Sequence, residues 1–169
     1  MSELLKFRKT KDKYFAEDPQ SPLKVEQKIN FKGLNYFPED ARLRVEVSVD
    51  RMDAAAEVHI PTSTGGNQTY QRYGRFHFDV EGQEVELTIF ASPHGYFLPF
   101  VDGLAGKETY PAGRYLEPEY LGEGRFLIDF NLAYNPYCAY NDIWSCPLTP
   151  QENRLNVPIR AGEMIFHTH

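Results

Sequence analysis

The sequence has little of what marks several common classes of protein. It holds only two cysteines and one tryptophan in 169 residues, and no window approaches the roughly 18 apolar residues of a membrane-spanning helix. Its first residues lack the apolar core of a secretory signal, and no Gly-rich phosphate fingerprint indicates a nucleotide or flavin cofactor. We therefore expect a soluble cytoplasmic protein, with no membrane segment and with reduced cysteines; its cofactors and oligomeric state stay open.

Positive charge is also scarce. The formal net charge is −6, with acidic and basic residues interleaved along most of the chain. Such a surface repels phosphate backbones unless a basic patch overcomes it. The one basic cluster, residues 6–13, fits the solvent-exposed face of a helix. The composition therefore argues against nucleic acid as a partner.

The composition that is present indicates a packed globular chain. Hydrophobic residues make up 41% and aromatic residues 14% of it, and twelve Gly and twelve Pro lie scattered between short apolar runs. We expect one domain over residues 1–169, in which a helical segment of residues 1–30 packs on a β domain. Ser2 is a plausible N-cap for the first helix, whose apolar stripe contains Leu4, Phe7, Lys11 and Tyr14.

From residue 43 the pattern changes to the period of a β-strand. Val45, Val47 and Val49 alternate with polar residues, and Glu81-Gly82 between two alternating runs is typical of a hairpin turn. We expect a mainly β fold, an antiparallel β-barrel or sandwich of about seven to nine short strands. A short helix is predicted near residues 150–156, with Glu152 in a capping box that reaches back to Thr149, and a last strand over residues 162–166.

Several motifs resemble a known family. They are FKGLNYFP at residues 31–38, GRYL at residues 113–116, DFNLAYNPYCAY at residues 129–140, and CPL through ENRL to AGE between residues 146 and 163. The chain resembles the domain of unknown function 1684 family of bacteria and archaea over nearly its whole length. Residues 102–106 depart from it, because two hydroxyl side chains common in the family are absent there. The resemblance implies no activity.

The segment of residues 129–154 concentrates the candidate site residues. Asp129 alternates with Phe126, Ile128 and Phe130, so Asp129 and Asn131 are expected to point away from that aromatic stripe. The candidate catalytic residues are Asp129, Arg154 and Cys138. The candidate ligand-binding residues are Asn131, Tyr134, Asn135 and Tyr137 in this segment, with Asp102 and Arg114 beside a Gly-rich turn. Arg154 either clamps an anion or pairs with Asp129 or Glu163.

Three hypotheses remain open for this segment. The first is a pocket that binds a small molecule or catalyses a reaction on it. The second is a hydrogen-bonded plug, in which Asx side chains bind nearby backbone and exposed aromatics (Tyr36, Phe37, Tyr70, Tyr73) mediate protein association. The third assigns Cys138 and Cys146 to a metal or thiol site, with His94, His167 or His169 as further ligands; buried free thiols are the simplest alternative.

Overall fold

The computed structural model describes residues 2–52 and 57–166. Its helices are α1 (Glu3–Glu17) and α2 (Val25–Ile29). The strands are β1 (Arg44–Ser48), β2 (Asp50–Arg51), β3 (Glu57–Pro61), β4 (Asn67–Val80), β5 (Gln83–Ser92), β6 (Gly95–Phe100), β7 (Arg114–Leu116), β8 (Glu119–Gly122) and β9 (Arg125–Asp129). Single 3-10 turns occupy Ala41–Leu43, Phe130–Leu132, Tyr137–Ala139 and Gln151–Asn153.

The strands form two antiparallel sheets. One has the order β1-β9-β8, and the other has the order β2-β4-β5-β6-β7 with β3 also paired to β4. Apolar side chains from both sheets meet in one core, including Val47 and Phe126 from the first and Phe76, Ile89 and Phe100 from the second. The predicted mainly β fold is confirmed, and of the two predicted architectures the sandwich fits these sheets.

The local signals for α1 and the central hairpin are confirmed. Ser2 caps α1 by accepting a hydrogen bond from the Leu5 amide at 3.1 Å. The turn between β4 and β5 has positive φ at both central residues, 50° at Glu81 and 82° at Gly82. A turn of this kind matches the right-handed twist of the strands that it joins. Neither helix of the described residues is long and apolar enough to cross a membrane.

Of two elements predicted near the C-terminus, the last strand is wrong and the short helix is confirmed. Residues 162–166 form no strand, and Glu163 makes only an isolated bridge to Tyr36. The short helix predicted near residues 150–156 is a 3-10 helix of one turn, Gln151–Asn153, which follows Pro150 without a side-chain cap hydrogen bond. The chain becomes extended after this turn, because the Leu155 amide donates to the Val101 carbonyl at 2.7 Å. The helix therefore ends where the backbone joins the end of β6.

The side chain of Asn153 supplies hydrogen bonds between β5 and β6 where the larger sheet lacks ladder bonds. Strands β5 and β6 pair over three positions only, with Phe90 opposite Phe97 at one end and Ser92 opposite Gly95 at the other. If this register continued, Thr88 would lie opposite Pro99. Proline has no N–H group, so the ladder lacks a donor at that position. The Asn153 Nδ2 group donates to the carbonyls of Thr88 (2.9 Å) and Pro99 (2.8 Å), and Oδ1 accepts from the Thr88 amide at 2.8 Å. One buried side chain thus replaces the missing ladder bonds.

We predict that Asn153→Ala lowers the free energy of unfolding by about 2–4 kcal/mol, because it leaves three buried backbone groups without a partner. Urea denaturation measures this change. Asn156→Ala, at an exposed position three residues along the chain, serves as the control and should change the free energy by less than about 0.5 kcal/mol. Equal effects of the two substitutions would contradict the bridging role of Asn153.

Candidate functional site

A groove of about 600 Å³ lies between α1 and the outer face of the smaller sheet. We call it the α1 groove. Its lining is largely apolar and aromatic, and the polar residues are few. The residues that line it are Phe7, Thr10, Lys11, Tyr14, Phe15, Leu116, Glu117, Pro118, Glu119, Leu127, Ile128, Asp129, Leu132, Tyr134 and Tyr137. The outward alternation of β9 supplies the side chains of Leu127 and Asp129, while Phe126 faces the core and Ile128, a core residue, borders the groove.

Lys11 is the one ammonium group among these lining residues, and a buried carboxylate neutralises it. Its Nζ forms an ion pair with Oε2 of Glu163, whose side chain is 3% exposed. The ammonium also lies 5.1 Å from the ring centroid of Tyr134 and 5.6 Å from that of Phe15. Lys11 therefore gives the groove wall a polar side chain but, together with Glu163, no net charge.

Glu163 organises the chain behind Lys11. Its Oε1 accepts hydrogen bonds from the Asn135 amide at 2.9 Å and from the Tyr140 hydroxyl at 3.0 Å. Burial, and next the charge of Glu163, raise the pKa of Tyr140 well above its usual range, so this phenol stays a donor. The Asn135 Nδ2 group donates to the Met164 carbonyl at 3.0 Å. These hydrogen bonds hold the segment around Asn135 and Tyr140 against the C-terminal segment around Glu163.

Acidic side chains occupy the opposite wall of the groove. Glu117 accepts a hydrogen bond from the Tyr134 hydroxyl at 2.6 Å. Burial, and next this hydrogen bond, raise the pKa of Tyr134. Asp129 binds the Asn131 amide through Oδ1, and its Oδ2 lies 3.8 Å from Nε of the exposed Arg44. Together with Glu119, these groups place three carboxylates against one neutralised ammonium.

The structure brings only some of the predicted site residues together. Asp129, Tyr134 and Tyr137 line the α1 groove. Asn131 does not point outward with Asp129 as expected, because the chain leaves the strand for a 3-10 turn at Phe130. Its side chain is buried and exchanges hydrogen bonds of 2.9 and 3.0 Å with the backbone of Asp40. Asn135 lies one layer behind the groove, in the Glu163 network.

Asp102 and Arg114 form a second buried cluster, away from the groove. The Asp102 carboxylate accepts from the Thr109 hydroxyl at 2.6 Å and from the Ile159 amide at 2.8 Å. Arg114 donates to the carbonyls of Ile159 and Glu163 at 2.9 and 3.0 Å. Burial lowers the pKa of Arg114 to about 10, so it remains a cation at neutral pH. These contacts tie the C-terminal segment to β7, and a ligand role for the two stays a prediction.

The predicted partners of Glu152 and Arg154 are wrong. Glu152 makes no capping box; it accepts hydrogen bonds from Arg72 at 3.0 Å and from the Thr88 hydroxyl at 3.0 Å. Arg154 is exposed and forms a parallel bridge to Val101, while the carboxylates expected to pair with it are bound to other cations. Lys11 takes Glu163, and Arg44 approaches Asp129. Because the backbone is extended after Asn153, Arg154 pairs with Val101 and does not reach Asp129 or Glu163.

Cys138 and Cys146 are free thiols that lie together, outside the groove. The Cys138 amide donates to Sγ of Cys146 at 3.4 Å. Within residues 2–52 and 57–166, no group of three His, Cys, Asp or Glu side chains is placed to hold a metal ion. Of the histidines considered as further ligands, His94 is exposed in the turn between β5 and β6, and His167 and His169 lie outside the described residues.

The surface aromatics expected in the plug hypothesis are not exposed. Phe37 is 5% exposed and lies beneath Arg114, with 6.0 Å between the guanidinium carbon and the ring centroid. Tyr36, Tyr70 and Tyr73 are half-buried. Tyr36 donates a hydrogen bond to Asp12 at 3.0 Å, so it faces α1. The exposed apolar residues at the groove are instead Phe7 and Leu132, at 49% and 41% exposure.

Lys11, Glu163 and Tyr140 were not among the predicted site residues. One signal was available: Lys11 stands in the apolar stripe of α1, where a charged group requires a partner. Nothing local identifies that partner, which lies 152 positions away. Tyr140 closes the tyrosine-rich motif but has no pattern that separates it from its neighbours.

Comparisons with known proteins support the resemblance found in the sequence. The family described as "Protein of unknown function (DUF1684)" matches residues 29–164. A solution NMR structure of an uncharacterised protein from Haloarcula marismortui is 38% identical, with a TM-score of 0.72, over 96% of this chain and 92% of that one. A comparison with curated proteins found no significant match. The matched region contains β1 to β9 and both buried networks, and the chain belongs to the DUF1684 family.

Proposed function

We propose that this protein binds a small amphipathic molecule that carries an amine, in the α1 groove. One observation carries the proposal: an aromatic groove of about 600 Å³ in which Lys11 is paired with Glu163, whereas the lining carboxylates Glu117 and Glu119 have no ion-pair partner among the described residues. Its volume lies within the roughly 300–1,000 Å³ that is usual for small-molecule sites. A few polar groups set among apolar walls are also the usual composition of such sites.

The walls favour an apolar or aromatic body. Phe7, Tyr14 and Phe15 come from α1, and Leu127 and Leu132 come from the opposite side. Because Phe7 and Leu132 are each more than a third exposed, a bound molecule would remove apolar surface from water. The burial of that surface supplies the larger part of the expected affinity.

The charges favour a cationic head group. Glu117, Glu119 and Asp129 line the groove, whereas the ammonium of Lys11 is neutralised by Glu163. The local field therefore repels a carboxylate and attracts an ammonium. The faces of the tyrosine rings attract a cation for the same electrostatic reason. Binding is proposed here without a reaction, because Arg154 and Cys138 do not line the groove with Asp129.

The head-group preference is tested with three probes of one shape: phenylbutylamine, phenylbutanol and phenylbutyrate. We predict that the amine binds about threefold or more tightly than the alcohol, and that the carboxylate binds most weakly. Amide NMR titration at low salt gives the affinities and locates the binding surface. Tightest binding of the carboxylate would contradict the preference for an amine. Absence of binding by all three probes would contradict the proposal that the α1 groove binds such molecules.

A blocking variant tests the location. Thr10 is exposed on α1 and lines the groove, so Thr10→Trp should fill it and weaken binding of phenylbutylamine by about tenfold or more. Lys9→Trp is the matched control, because it places the same side chain on the neighbouring exposed position outside the lining. Affinities that fall equally in both variants, or in neither, would exclude the α1 groove as the binding site.

A further inference from the structure

The two cysteines are brought together by separate parts of the chain. Cys138 lies in the 3-10 turn Tyr137–Ala139, and Cys146 lies beside the end of β3. Ser63 fixes Cys146 through two hydrogen bonds: its amide donates to the Cys146 carbonyl at 2.9 Å, and its Oγ accepts from the Cys146 amide at 3.1 Å. The Cys138 amide in turn donates to Sγ of Cys146 at 3.4 Å. The backbone amides of Ser63, Cys138 and Cys146 each take part in these contacts, which hold the two cysteines together.

The two thiols differ in exposure and in their neighbours. Cys138 is partly exposed, whereas Cys146 is buried at 7% exposure. The hydroxyl of Tyr110 lies 3.8 Å from Sγ of Cys138. Cys138 is thus the more exposed of the two residues and lies beside a hydrogen-bond donor, while Cys146 is buried. This asymmetry is what a thiol that reacts and a thiol that resolves require.

We propose that Cys138 and Cys146 form a redox-active dithiol that reduces a small hydroperoxide, with Cys138 as the attacking sulfur. The Cys138 thiolate attacks the terminal peroxide oxygen: an S–O bond forms, the O–O bond breaks, and the released alkoxide or hydroxide takes a proton to leave as alcohol or water. Cys138 is then a sulfenic acid. Cys146 attacks its sulfur, the S–S bond forms, and the hydroxyl group leaves with the Cys146 proton as water. Two thiols lose two electrons and the peroxide gains them.

The electrostatics of the pair support Cys138 as the attacking group. A hydrogen bond from the Cys146 thiol, with a further one from Tyr110, lowers the pKa of Cys138 to about 6, although burial opposes the change. The hydrogen bond with Cys138, and next burial, raise the pKa of Cys146 above its usual range. Burial, with a smaller effect of Cys138, raises the pKa of Tyr110 to about 12, so that phenol stays protonated and donates. Tyr115 also faces the pair and stays neutral, because burial raises its pKa.

The chain between the cysteines permits the bond to close. Residues 141–145 contain no helix or strand, and residues 142–145 are exposed. The one tryptophan of the sequence, Trp144, lies in this segment, with its ring centroid 5.2 Å from that of Tyr137. Closing the disulfide moves this segment relative to Tyr137. The fluorescence of Trp144 therefore reports the redox state.

Peroxide treatment of the folded protein tests the proposal. One equivalent of hydrogen peroxide should remove both thiols, lower the mass by about 2 Da and change the Trp144 fluorescence, and a dithiol reductant should reverse all three. Cys146→Ser should stop at a sulfenic acid that dimedone traps, and Cys138→Ser should react at least about tenfold more slowly. Retention of both thiols at peroxide concentrations that oxidise free glutathione, or an unchanged rate in Cys138→Ser, would overturn the proposal.

A pH profile of alkylation tests the assignment of the attacking sulfur in the unmodified protein. Peptide mapping after brief iodoacetamide treatment should place the label on Cys138, with a midpoint near its pKa of about 6. Tyr110→Phe removes a donor to the thiolate, so the pKa of Cys138 rises and the midpoint moves to higher pH. Tyr120→Phe, an exposed tyrosine on β8, should leave the midpoint unchanged. Labelling of Cys146 first, or an identical midpoint in Tyr110→Phe, would contradict the assignment.

Discussion

The ion pair between Lys11 and Glu163 joins α1 to the C-terminal segment, and we infer that the position of α1 over the groove depends on it. Lys11 lies on the face of α1 that packs on the protein, and Glu163 is buried at 2% exposure in the C-terminal segment. A buried carboxylate is costly unless its lone pairs are occupied. The amide of Asn135 and the hydroxyl of Tyr140 complete its shell. The pair therefore sets how α1 lies over the smaller sheet, and the space left between them is the α1 groove.

Short polar side chains do much of the structural work in this fold. Asn153 replaces ladder bonds that Pro99 cannot make, Asn131 binds the backbone of Asp40, and Asn135 belongs to the Glu163 network. The tyrosine-rich motif thus turns inward but serves several neighbours instead of one centre. Tyr137 connects the two proposed sites, since it lines the groove, precedes Cys138 and packs against Trp144.

Sequence patterns identify the parts of this structure that depend on near neighbours. The alternation of Val45 and Val47 and the Glu81-Gly82 turn predict a strand and a hairpin because both signals are local. The 3-10 turn at Asn153 depends on contacts with β5 and β6, and the backbone of residues 163–165 binds the carbonyls of Ala133, Asn35 and Glu108 instead of a neighbouring strand. No local pattern contains these contacts. The partner of Lys11 is likewise set by the packing of α1. Asp129, Tyr134 and Tyr137 were predicted as site residues and line the groove, whereas its α1 wall was not foreseen.

A double-mutant cycle on the ion pair tests the central claim most directly. The free energies of unfolding of the unmodified protein, Lys11→Met, Glu163→Gln and the double variant give the coupling between the two side chains. We expect each single variant to be destabilised by about 3 kcal/mol, because it leaves its partner buried and unpaired, and the double variant to recover about 2 kcal/mol or more of the summed loss. Losses that add to within about 0.5 kcal/mol would show that the pair does not hold α1 in place.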